Sequence, residues 1–137
     1  MPKTPRAGSG QFQWNLGGWL GAQIGGTVWM VILGFTLIAR EPVFALVSLG
    51  LALLVNGLGL WLWSRRDRLE PYPCIQGLLA TVAIATLILL VTFDATGRIA
   101  ELDPHFRNNP RGLYALMLMF PVLMGMFYFQ NRSGKKR

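Results

Sequence analysis

The side chains able to do chemistry are few in this chain, and they are scattered. Glu101, Asp103 and the single histidine, His105, stand close together. A carboxylate and an imidazole two residues apart can share a divalent ion, but a site needs three or four ligands. The stretch reads as a solvated loop between two apolar runs, with a short interfacial helix over 98–102 and a turn at Arg107-Asn-Asn-Pro-Arg111. Met117 and Met124, and likewise Met119 and Met126, stand seven apart and share a helical face. Thioethers suit soft ions such as copper(I). No cysteine or histidine stands at matching depth, so adaptable packing is the better account. Cys74 is the only cysteine, which excludes an internal disulfide. There is no phosphate-cradling glycine loop followed by Lys-Ser/Thr, no pair of carboxylates inside an apolar run, no His-Glu-x-x-His and no nucleophile beside a base. The expectation is a protein without catalytic site, cofactor or metal.

What remains is a thin set of amides and hydroxyls embedded in long apolar stretches: Gln23, Thr27, Ser48 and Asn56. The stretches themselves define the class. Of 137 residues, 53% are hydrophobic and 14% charged, which fits poorly with a soluble domain of this length. Runs free of charge cover 7–39, 42–64, 71–93 and 112–131. Each is as long as the roughly 20 residues needed to cross a hydrocarbon core. Backbone amides in hydrocarbon must be satisfied within their own segment, and the runs lack the alternation of barrel strands.

The sequence therefore predicts an all-α integral membrane protein. Four transmembrane helices over 14–38, 43–63, 74–93 and 113–130 form one domain, flanked by a polar tail at 1–13 and a basic tail at 131–137. Although Lys3 and Arg6 precede the first run, no small-x-small cleavage site follows it, and it reads as retained. The link Ala39-Arg40-Glu41-Pro42 forces the first two helices into a hairpin, with Pro42 suited to a first turn. The second link ends in Pro71 and Pro73, which discourage either flanking helix from continuing. Pro121 predicts a kink in the fourth helix. The implied architecture is an antiparallel up-down bundle.

Orientation follows from the positive-inside rule. With four spans, Lys3, Arg6, Arg65, Arg66, Arg68, Arg132, Lys135, Lys136 and Arg137 share one side with Asp67 and Glu70. The opposite side carries Arg40, Arg98, Arg107 and Arg111 against Glu41, Asp94, Glu101 and Asp103. The whole net charge of +7 thus falls on the first side, which places both termini in the cytoplasm of a cell that holds the chain in its plasma or inner membrane. Trp14, Trp19, Trp61, Trp63 and Tyr128 fall at that same interface, where amphipathic rings prefer to lie. Arg65, Arg66, Arg68, Lys135, Lys136 and Arg137 are the residues expected to meet anionic headgroups. The basic excess is explained by orientation, without a nucleic-acid partner.

The first helix carries Gly17, Gly21 and Gly25 four apart, and Gly18, Ala22 and Gly26 in the same spacing one residue later. At about 100° per residue both rows occupy one half of the helix. Such rows let backbones approach closely in lipid, where association depends on packing and not on expelling water. On the second helix Ala45, Ser48, Ala52, Asn56 and Gly59 fall within a sector of about 80°, a natural mate for the glycine face. Gln23 is read as lying beside that face and as a partner for Asn56. On the third helix Gly77, Thr81 and Ala85 repeat the small-residue spacing, and Asp94 is placed to pair with Arg98.

Two functional readings follow. One is a structural or accessory subunit that packs, through its glycine and small-residue faces, against itself or a larger membrane complex. The other is a small homo-oligomeric channel or transport protein whose path is lined by Gln23, Asn56 and Thr27, with Ser48. The sparse amide-and-hydroxyl inventory, with no charge at the membrane centre, favours the first.

Overall fold

The computed structural model describes residues 12–99 and 109–134. These residues are helical and include no strand: α1 Leu16–Leu37, α2 Pro42–Ser64, α3 Pro71–Ala95, then a 3-10 helix Pro110–Leu118 that runs into α4 Met119–Gly134. Four helices are long and apolar enough to cross a membrane, the fourth spanning Gly112–Ser133.

The ends of these helices follow from local chemistry. Asn15 does not sit inside the first helix but caps it, its side-chain oxygen accepting the Gly18 N–H at 3.0 Å. Pro42 occupies the opening turn of α2. The prolines of the second link lie inside α3, which starts at Pro71. The first four N–H groups of a helix have no intrahelical acceptor, so proline costs nothing there. At the far end α3 stops after Ala95, where Gly97 adopts φ 71°, a left-handed backbone that glycine enters without a Cβ penalty.

The fourth span differs from the single kinked helix expected. Pro121 has no N–H for the Met117 carbonyl, and the chain before it is wound as a 3-10 helix, with the Met119 N–H turned toward the Leu116 carbonyl. Downstream, α4 continues to Gly134.

α3 is the central element, packed against α1, α2, the 3-10 helix and α4. Leu78, Val82, Leu89 and Phe93 are fully buried along it. Gly77, by contrast, faces open space. Cys74 is buried within the same apolar core, as a small hydrophobe. α1 and α2 form the most extensive pair, whereas α4 packs on α3 and its own 3-10 lead-in. Away from these contacts the helices expose large apolar residues, among them Ile24, Phe35, Leu53, Ile84, Val122 and Phe129. Water would penalise such a surface; hydrocarbon does not.

Candidate functional site

Gln23, Thr27, Ser48 and Asn56, the amides and hydroxyls singled out in the sequence, are gathered into one seam between α1 and α2. The Gln23 Nε2 donates to the Asn56 Oδ1 at 3.0 Å and to the Asn56 backbone oxygen at 3.1 Å. The Asn56 Nδ2 donates to the Thr27 Oγ1 and to the Ala52 carbonyl, both at 2.8 Å. Thr27 in turn donates to the Gln23 carbonyl at 2.9 Å. Further along, Ser48 gives its hydroxyl proton to the Met30 carbonyl at 2.7 Å, and at the other end the Trp19 indole N–H donates to the Gly59 carbonyl at 3.2 Å. Each interhelical bond of this kind contributes about 0.5–2 kcal/mol in a membrane.

Small residues allow this approach. An added Cβ on Gly59 would overlap the Gln23 amide, and one on Gly34 would overlap the Leu49 side chain and come to 3.3 Å from the Ala45 carbonyl. The Gln23 Oε1 is buried and accepts no conventional hydrogen bond. It lies against Gly59, so glycine there removes the steric obstacle and leaves Cα–H groups as weak donors.

The small-residue stripe of α2 therefore meets a different face of α1 from the one anticipated. Ala45, Ser48, Ala52 and Gly59 are buried, with Asn56 partly so, against the side of α1 that carries Trp19, Gln23, Thr27, Met30 and Gly34. Gln23 stands opposite Gly21 and Gly25 instead of beside them, as counting 100° per residue requires. Gly17, Gly18, Gly21 and Gly25 are exposed, and a Cβ on Gly21 or Gly25 would meet nothing within 4 Å. The second row turns inward at its end: Ala22 is partly buried, and a Cβ on Gly26 would stand 3.0 Å from Val82 of α3.

Two readings of single residues also change. Trp19 is an interior anchor and not an interfacial float, being 3% exposed with its donor spent on α2. Trp14, Trp19 and Trp63 form one cluster, with Trp14–Trp19 centroids 4.9 Å and Trp14–Trp63 centroids 5.6 Å apart. At the other end of the spans, Arg98 forms an ion pair with Glu41 across the α1–α2 link and lies over Phe44, while Asp94 accepts the Tyr114 hydroxyl at 3.0 Å.

Of the residues expected at headgroups, Arg65 and Arg66 stack over Trp61 and Trp63 at 4.7 and 5.0 Å, and Arg68 is exposed. Lys135, Lys136 and Arg137 lie outside the described residues, as do Lys3, Arg6, Glu101, Asp103, His105, Arg107 and most of the 98–102 interfacial helix. Met119 and Met126 face outward, whereas Met117 and Met124 pack onto the core. Gln76 of α3 donates to the Met124 carbonyl at 2.9 Å, a tie to α4 missed in the sequence. Nothing in its spacing singled it out.

The chain matches no protein-family model, no curated protein and no solved structure.

Proposed function

We propose that this chain is a multi-pass protein of the plasma or inner membrane, without a catalytic site, that acts as a structural or accessory subunit. The bare glycine strip of α1 is the surface on which it receives a helix of another chain, either a second copy or a member of a larger membrane complex. The observation that carries this reading is the open space over Gly21 and Gly25, in a helix whose polar groups are already engaged on the opposite side. Within hydrocarbon a glycine strip offers close backbone approach and gains little from facing lipid.

The channel alternative loses support from the same seam. Gln23 and Thr27 are each 2% exposed, and Asn56 holds both of them, so little is left to line a path.

Topology supports the reading as well. Trp19 meets Gly59, Gln23 meets Asn56, Met30 meets Ser48 and Gly34 meets Ala45: numbers rise on one helix as they fall on the other, as in an antiparallel hairpin. Extended through the remaining spans, this gives an up-down bundle with both termini cytoplasmic, the side where Arg65, Arg66 and Arg68 meet acidic headgroups.

The test is the assembly state of the full chain in nanodiscs and in a gentle membrane extract, wild type beside Gly21→Leu. A defined complex that Gly21→Leu dissociates, with the helical fold retained, is the expected result. A complex of unchanged size in the variant, or a wild-type chain alone in both preparations, overturns it.

A further inference from the structure

A cavity of about 340 Å³ lies beside the start of α1, at the small end of the range for ligand pockets. Phe12 and Trp14 of the segment before α1, Trp19 of α1 and Phe127 of α4 supply its aromatic lining. The rings are fixed by one another and by the backbone. Phe12 meets Phe127 edge-on at 5.3 Å. The Trp14 indole N–H donates to the Leu69 carbonyl, and that of Trp19 to the Gly59 carbonyl, each at 3.2 Å. Both indole donors are thus committed to backbone, and the rings offer the cavity apolar surface.

The polar part of the lining is made of amides: Gln13, Asn15 and Gln130. The Asn15 oxygen is engaged by the Gly18 N–H, so its remaining function is an NH2 donor. Among the described residues no ionisable side chain lines the cavity. An anion would find better partners on Arg65, Arg66 and Arg68 nearby in the link after α2, and a cation is disfavoured by that basic end. The chemistry left is a neutral group with carbonyl acceptors and an apolar continuation.

Depth narrows it further. The cavity lies where Trp14 touches Leu69 of the basic link, at the level of the aromatic belt where hydrocarbon gives way to headgroups. There the matching species is the ester-and-glycerol region of a membrane lipid. We propose that this cavity holds one diacyl lipid by that uncharged region, with amide NH2 groups donating to ester carbonyl oxygens and the first acyl segment lying on the rings. The assignment requires that the chain reside in a bilayer, and Gly21 and Gly25, on which the docking proposal rests, do not line the cavity.

The full-length protein in nanodiscs of mixed phosphatidylethanolamine and phosphatidylglycerol, doped with a diacyl lipid bearing a diazirine next to its ester, tests this by mapping the labelled peptides. Adducts are expected on the peptides carrying 12–19 and 127–130. A Cβ on Gly18, a lining residue, meets only Asn15, at 3.9 Å, so Gly18→Phe starts its side chain in free space at the cavity and is chosen to occlude it. It should lower those adducts about ten-fold, the mark of a lost site worth roughly 1.4 kcal/mol. Gln130→Leu, at an exposed position, should lower them as well and serves if Gly18→Phe misfolds, while Gly21→Phe should leave them unchanged. Equal labelling in wild type and both cavity variants, or adducts spread evenly over outward residues such as Leu46 and Val122, overturns the proposal. So does labelling confined to anionic lipid, which would place recognition on the arginines.

Discussion

On one side of α1, Trp19, Gln23 and Thr27 are 3%, 2% and 2% exposed and hydrogen-bonded into α2 or their own helix; on the other, Gly17, Gly21 and Gly25 are exposed and present backbone alone. Both sides are smooth enough for another helix. Only one has polar groups that must be satisfied, and that side is closed inside the chain. Where lipid competes on equal terms for apolar surface, hydrogen bonds and steric fit decide which face is internal. The glycine side carries no such demand and stays exposed, the side proposed above to receive a helix of another chain.

The sharpest way to break this contrast is to add bulk on the closed side. Gly59→Leu places carbon where the buried Gln23 amide lies, and overpacking of this kind costs about 3 kcal/mol. Reversible unfolding in mixed micelles should show that loss. A variant as stable as wild type would mean that the seam is not close-packed.

Asn56→Leu comes next. It removes the bonds to Thr27 and from Gln23, but the Gln23 Nε2 keeps the Asn56 backbone oxygen, so the same assay should register about 1 kcal/mol. Gln23→Leu also removes the unpartnered Oε1 and should cost less, within about 0.5 kcal/mol. If Gln23→Leu proves the more damaging of the two, Asn56 is not the hub of the seam.

The smallest loss belongs to the open side. Gly21→Ala removes no contact and improves helix propensity, so the fold should lose no stability and gain at most about 1 kcal/mol. A clear loss of stability in a preparation without any partner would place Gly21 inside the fold and erase the distinction between the two sides.

Four helices long and apolar enough to cross a membrane, and the short link before Pro42, were legible in the charge-free runs. Which face of α1 turns inward was not, because lipid-facing and helix-facing residues are both apolar and hydropathy has no period to report. The polar residues held the answer: Gln23 and Thr27 lie opposite Gly21 and Gly25 by simple angular count, and giving them priority over the glycines would have oriented the helix. Gly34, Trp19 as an interior donor and the Gln76 tie to α4 were beyond reach, since each depends on which backbone atom happens to stand across the interface. Pro121 signalled an irregularity, but the 3-10 winding of the nine residues Pro110–Leu118 is a property of the whole segment.

Residues 38–41 are all that separate α1 from α2, and this brevity bears on how the chain can enter a bilayer. A first helix threading into hydrocarbon by itself would carry the Gln23 amide unshielded, at a cost of several kcal/mol. With the next helix following after so short a link, Asn56 stands in register with Gln23, and two amides that pair before burial would share that cost. The seam that ties α1 to α2 is thus also the one able to shield both amides on entry.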